Sequence, residues 1–200
     1  MSDPWRLAVL ASGNGSNFAA IAQAIDKGVI PAHIAVLIYN NPTAYVRTRA
    51  EQLGIPHILL NHRHYPDRSD YDRAIVTVLH QYQVDLVVMA GWMRIVTPVL
   101  INAYPDRILN IHPSLLPSFP GAHAVEQALA YGVKITGCTV HLVIPAVDQG
   151  KILAQAAVPV LPDDTPQTLH ARIHEQEYLI YPPTIAEYLQ LLPQKSEKIR

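Results

Sequence analysis

The segment Val84–Met89 is apolar on both faces of an extended chain. A strand of that kind must be covered from both sides, which fits the centre of a parallel sheet rather than an edge. Its neighbours in sequence fit the same plan. Arg6–Leu10 reads as a first strand, followed by Phe18, Ile21, Ala22 and Ile25 at the spacing of one helix face. Ile34–Tyr39, His57–Leu60 and Arg107–His112 read as further strands; Val46–Leu53, Tyr71–Gln81 and Ala124–Tyr131 read as helices. Two longer, more alternating segments follow, Ile135–Val143 and Ile152–Val160, with no helix between them. They predict an antiparallel hairpin. Thr165-Pro166 is a helix start, a capping residue before a first-turn proline, and Tyr181-Pro182-Pro183 is expected to end that helix near Ile180. The pattern predicts an α/β fold: a doubly wound, mostly parallel sheet with an antiparallel C-terminal hairpin addition, in one domain over residues 1–200 with a flexible tail from about 190.

Composition narrows the function classes. The chain has 200 residues, 50% of them hydrophobic and 16% charged, against roughly 25% charged in an average globular protein. Net charge is −1 and the basic residues are scattered, so neither nucleic acid nor an anionic membrane is an expected partner. The lone Cys138 fits a reducing compartment. The first residues, MSDPWRLAVLASG, lack the layout of a signal peptide, and the apolar run Leu86–Ala90 is far too short to span a membrane. A cytoplasmic location is expected; the oligomeric state is not legible.

In a doubly wound sheet ligands gather at the C-terminal ends of the strands, and two suggestive segments lie there. Ser12-Gly13-Asn14-Gly15-Ser16-Asn17 joins the first strand to a helix. Its glycines allow close approach, and the helix start offers free N–H groups to an anion. Phe18 stands where a dinucleotide fingerprint needs its third glycine, and no Gly-Lys-Ser/Thr follows, so a single phosphate is the expected ligand; a bare strand-to-helix turn is the alternative. In the second segment, Asn110 and His112 are two residues apart in a strand and so share a face. An amide donor beside a titratable imidazole can stabilise an oxyanion and move a proton. Asp148, in a Val-Asp-Gln-Gly turn, is placed to return over the sheet edge, where its charge would favour imidazolium, or it serves only to form the turn. Glu177 falls on the apolar stripe of Leu169, Ile173 and Ile180. A carboxylate there needs a partner: a substrate ammonium, an internal arginine, or else the stripe is narrower than drawn.

Other chemistries find less support. Ser114 is not in a G-x-S-x-G elbow. Cys138 lies mid-strand in apolar company. His62-x-His64 has no third ligand at a recognised spacing, so no metal is expected.

ASGNGSN at 11–17, AGWMRIVTP at 90–98, LNIHPSLLPSFPGAHA at 109–124, GCTVHLV at 137–143, DQG at 148–150 and EQEYLIYP at 175–182 together resemble the folate-dependent phosphoribosylglycinamide formyltransferase family. The resemblance runs along nearly the whole chain. It implies the formyltransferase fold and an enzyme that moves the formyl group of its cosubstrate, 10-formyltetrahydrofolate, to the amine of glycinamide ribonucleotide in purine biosynthesis, with small-molecule partners only. By resemblance Asn110, His112 and Asp148 are catalytic, Gly15, Ser16 and Asn17 hold the substrate phosphate, and Glu177 meets the amine. Arg68, Met93, Arg94, Ile95 and Val96 line the folate site, with His141 near it. Ser118 stands where the family often has lysine, and Gln149 replaces a small residue. A formyltetrahydrofolate hydrolase shares the central loop but usually carries an N-terminal regulatory domain, for which a strand starting near residue 6 leaves no room. A binding module without catalysis is the non-enzymatic alternative.

Overall fold

The computed structural model describes residues 4–193. Seven strands form one sheet: β1 (Trp5–Ala11), β2 (Ala32–Tyr39), β3 (His57–Leu59), β4 (Leu86–Met89), β5 (Ile108–His112), β6 (Ile135–Leu142) and β7 (Ile152–Pro159). Their spatial order is β3-β2-β1-β4-β5-β6-β7. The first five are parallel, and β6 and β7 join antiparallel. The doubly wound sheet with its antiparallel hairpin is therefore as the sequence predicts. β4 is the central strand, and Leu86, Val87 and Val88 have no exposure at all.

Six helices cover the sheet: α1 (Ser16–Asp26), α2 (Val46–Gln52), α3 (Arg68–Gln81), α4 (Pro98–Ala103), α5 (Ala124–Tyr131) and α6 (Pro166–Leu191). Alternation along β1 divides the core in two. Leu7, Val9 and Ala11 pack with Phe18 and Ile21 of α1 and Ile173 and Ile185 of α6. Ala8 and Leu10 pack with Tyr71, Ile75 and Leu79 of α3 and Leu100 of α4. Each such side chain, fully buried, contributes about 1.5–3 kcal/mol of transfer free energy, so each layer of helices is held to its face. Among the described residues no helix is long and apolar enough to cross a membrane.

Two elements differ from the sequence reading. Helix α6 does not stop near Ile180 but runs through Pro182 and Pro183 to Leu191. The two prolines remove the N–H groups that would bond the carbonyls of Tyr178 and Leu179, and Leu179 is exposed enough for water to serve instead. The row Leu169, Ile173, Glu177, Tyr181, Ile185, Leu189 is buried throughout. Tyr181 also donates its hydroxyl to the carbonyls of Met89 and Leu109, at 3.0 and 3.2 Å. Tertiary packing outweighs the proline penalty. Helix α4 does not appear in the sequence reading, although Thr97-Pro98 repeats the Thr-Pro start of α6 and the Thr97 hydroxyl accepts the Val99 N–H. The expected flexible tail from about 190 is helical through Leu191, and residues 194–200 lie outside the described residues.

Candidate active site

A cavity of about 760 Å³ opens over the C-terminal ends of β4 and β5 and is closed on one side by α6. Asn110 and His112 leave β5 into it, on one face as their spacing requires. Antiparallel pairing sets His141 of β6 directly opposite Asn110. The β6–β7 turn returns Asp148, in a left-handed conformation with φ 53°, over both histidines. Its Oδ2 is 3.4 Å from Nδ1 of His112, and its Oδ1 is 3.5 Å from Nε2 of His141.

The hydrogen bonds fix proton positions where carbonyls are the acceptors. His112 Nε2–H donates to the Phe119 carbonyl at 2.8 Å, so with Nδ1 facing Asp148 both ring nitrogens face acceptors. His141 Nδ1–H donates to the Leu142 carbonyl at 2.8 Å, and its Nε2 lies 3.1 Å from Asn110 Nδ2. Burial alone would raise the Asp148 pKa. The contact with His141, the Gly121 N–H at 2.7 Å and the charge of His112 outweigh it and hold the carboxyl below its ordinary range. Asp148 is thus an anion at neutral pH, placed directly behind the His112 ring.

The loop from 113 to 121 is tied down by the hairpin behind it. Thr139 donates its hydroxyl to the Ser114 carbonyl at 2.7 Å and accepts the Leu116 N–H at 3.1 Å. Gln155 donates to the Leu116 carbonyl and to Thr139, both at 3.0 Å. The Leu116-Pro117 bond is cis. Ser118 takes part through its backbone, its carbonyl accepting the Ser114 hydroxyl. Cys138 lies fully buried on β6, and burial pushes its thiol up to about 12.

Across the cavity, Glu177 on α6 is 3% exposed. Among the described residues no arginine pairs with it. Asn17 Nδ2 donates to its Oε2 at 2.7 Å, and His174 Nε2 is 3.8 Å from the same oxygen. Burial pushes the carboxyl up to about 7, against the Asn17 hydrogen bond. Burial, then the neighbouring His170, pushes His174 down to about 4, so the imidazole brings no positive charge to Glu177 at neutral pH. Asn17 Oδ1 is buried without a partner. The Glu177 carboxyl and this amide oxygen together make a pocket of acceptors, with no cationic side chain paired to them among the described residues. His170 and His174 are missing from the sequence reading. Their signal was present, because positions 170, 174 and 177 fall on one helix face.

The glycine loop reaches the site only in part. Asn17 lines the cavity and bonds Glu177, so its side chain is separated from Gly15 and Ser16. Gly15 has φ 74°, and a Cβ there would lie 2.3 Å from Val46 Cγ2, which demands glycine. Arg49, also missing from the sequence reading, donates to the Asn14 carbonyl at 2.8 Å and so brings a guanidinium beside the loop. Arg68, Met93, Arg94, Ile95 and Val96 all line the main cavity, as a wall opposite Asp148. The Met93 N–H is anchored on the Ser12 hydroxyl at 2.9 Å, and the Arg94 guanidinium lies 5.1 Å from the centre of the Tyr71 ring. His141, expected near the folate site, lines the same cavity and sits within the Asn110–Asp148 cluster.

An amide and an imidazole on one strand, a carboxylate behind them and an acceptor pocket in the same cavity define an acyl-transfer type of site on a doubly wound sheet. The formyl transferase family model matches residues 5–185, and the chain belongs to that family. Within it, the chain is similar to the phosphoribosylglycinamide formyltransferase of Bacillus subtilis, 42% identical over 186 residues that cover 93% of this chain and 95% of that one. The crystal structure of glycinamide ribonucleotide transformylase 1 from Symbiobacterium toebii superposes with a TM-score of 0.92 at 45% identity, covering 96% of this chain and 92% of that one. The trifunctional purine biosynthetic protein adenosine-3 of Homo sapiens is 44% identical over 88% of this chain, which spans only 18% of that protein.

Proposed function

We propose that the chain transfers the formyl group of 10-formyltetrahydrofolate to the amine of glycinamide ribonucleotide, a step of purine biosynthesis in the cytoplasm. The observation that carries this reading is the occupancy of one cavity by both halves of the chemistry: the Glu177 and Asn17 acceptors on one side, the Asn110, His112 and Asp148 cluster on the other. A substrate ammonium supplies the cation that Glu177 lacks. Gly15 and Ser16 at the start of α1, with Arg49 beside them, take the substrate phosphate, and the folate lies along Arg68 and the Met93–Val96 wall.

The bound ammonium first releases one proton to water; the free amine nitrogen then attacks the formyl carbon, forming the new C–N bond and a tetrahedral oxyanion. Asn110 Nδ2–H and the charged His112 donate to that oxygen, which takes the place of the Phe119 carbonyl or of the His141 ring as acceptor. Asp148 holds His112 in its charged form, and His141 aims the Asn110 amide. The bond from the formyl carbon to the folate nitrogen then breaks, and the proton lost by the attacking amine ends on that nitrogen. Tetrahydrofolate and the formylated amine leave.

Release of tetrahydrofolate, followed with and without glycinamide ribonucleotide, tests the reading. Release that requires the acceptor is expected. Release at the same rate without it would replace the reading by a hydrolase, and no release under either condition would leave only a binding module.

A further inference from the structure

A second cavity, of about 310 Å³, lies between the turn after β2, the short 3-10 turn at His62–His64 and the Met93–Arg94 segment. It shares Met93 and Arg94 with the reaction cavity, and its other lining residues are its own. Its chemistry is one-sided. Asn40, Asn61, His62, Arg63 and Arg94 line it, and no carboxylate does. The carboxylate whose charge Arg94 feels is Asp72, and that group already accepts the Thr97 N–H.

Four groups there lack a protein partner among the described residues, in a way that points to a ligand. Asn40 is 4% exposed, and among the described residues nothing hydrogen-bonds its side-chain amide. His62 Nδ1 is buried without a partner. Neither the Arg63 nor the Arg94 guanidinium has a carboxylate within ion-pair distance among the described residues; Arg94 rests on the Tyr71 ring. A buried imidazole nitrogen left unpaired costs free energy, and two guanidinium groups beside it repel without a counter-charge. An oxyanion offsets these costs, because guanidinium and amide N–H groups donate to it and its charge favours the protonated His62 ring, whose Nδ1 then donates as well.

We propose that this cavity is a binding site for a small phosphate-type oxyanion, distinct from the glycine loop at the start of α1. Arg63 and Arg94 supply the charge, and His62 and Asn40 supply directed donors from the buried wall. The volume exceeds what a tetrahedral ion needs, so the phosphoryl group arrives either as the free ion or on a small ester. The shape accepts both, and the chemistry recognised is the same.

The His62 imidazole reports on the site without turnover. Burial, then the charges of Arg94 and Arg63, push its pKa down, while the Asn40 carbonyl works against them. A bound dianion facing the same ring reverses that direction. Side-chain NMR of the full chain titrated with inorganic phosphate, and in parallel with ribose 5-phosphate, is the test, with His62→Gln used to assign the ring resonances. The expected result is a saturable shift of the His62 signals, with its titration midpoint moving up, and a binding constant weakened about tenfold in Arg63→Gln. Arg63 is exposed, so that variant keeps its fold and its turnover at saturating substrates. Tighter binding of ribose 5-phosphate than of phosphate identifies an ester as the occupant; equal binding identifies the ion. His62 signals that stay fixed while phosphate binds elsewhere, or an affinity unchanged by Arg63→Gln, would overturn the proposal. Neither outcome depends on the formyl-transfer reading, because no reaction is followed.

Discussion

Glu177 and Asp148 are two carboxyl groups in one cavity with opposite displacements, and the difference sets their roles. Glu177 is pushed up to about 7 because burial dominates, whereas Asp148 is held down by its two histidines and the Gly121 N–H. The signs of their pH effects follow by linkage. For Glu177 the unfolded chain ionises first, so its contribution to stability is complete below its unfolded pKa and is lost as pH rises towards about 7. Glu177→Gln should therefore unfold at a higher temperature than the wild type at about pH 8 and at nearly the same temperature at about pH 4, as read by thermal unfolding. Its binding role has the reverse sign, because only the ionised carboxylate attracts an ammonium. kcat/KM for the amine substrate should fall as pH drops below about 7, and Glu177→Gln should lose that limb. Asp148 contributes stability above its unfolded pKa that is lost only in strong acid. Replacing it with Asn keeps a residue tolerant of its left-handed backbone but removes the anion behind His112. Turnover at saturating substrates should drop about a hundredfold, and an unchanged turnover would show that the 3.4 Å contact is idle.

Helix α6 carries Glu177, so its register matters to function. The capping box of Thr165 and Thr168 starts it, and Asp164, paired with Arg172, holds the turn before it. Thr165→Ala should lower stability by about 1 kcal/mol, seen as a lower denaturant midpoint with an unchanged slope. The start of this helix was legible because a capping threonine before proline has a local mechanism. Its end was not. The prolines at 182 and 183 are a local stop signal, and the packing of Tyr181, Ile185 and Leu189 that overrides it is a property of the assembled core. Helix α4 shows a different gap: its Thr97-Pro98 start is the same signal, but six residues are too few for a periodic stripe to stand out. Gly15 was legible as a glycine that a turn might need. That Val46 of α2 would collide with any side chain there required the folded chain. Gly15→Ala should destabilise by about 1–3 kcal/mol through left-handed strain and overpacking, and the added Val46→Ala should restore part of the loss in the same unfolding assay.

Taken as a whole, the molecule uses the sheet's parallel half and its antiparallel half for different tasks. Parallel strands β1 and β4 deliver the glycine loop and the Met93–Val96 wall at their C-terminal ends, where a doubly wound sheet gathers ligands. The antiparallel pairing of β5 with β6 then places His141 against Asn110, and the β6–β7 turn carries Asp148 back over both. The grouping of Asn110, His112 and Asp148 was foreseeable from strand periodicity and a return turn. The joining of Asn17 to Glu177, 160 residues apart, was not, because only the packing of α1 against α6 brings them together. This division gives the central claim a direct test: one side of the cavity binds the amine and the other stabilises the oxyanion. Steady-state kinetics of Glu177→Gln and Asn110→Ala, with both substrates varied to saturation, separate the two. Glu177→Gln should raise KM for the amine substrate about tenfold or more while kcat at saturation falls much less. Asn110→Ala should lower kcat a hundred- to a thousandfold, about 2.7–4 kcal/mol, with KM for the amine little changed. The same pattern of loss in both variants, or an Asn110→Ala turnover near that of the wild type, would contradict the account.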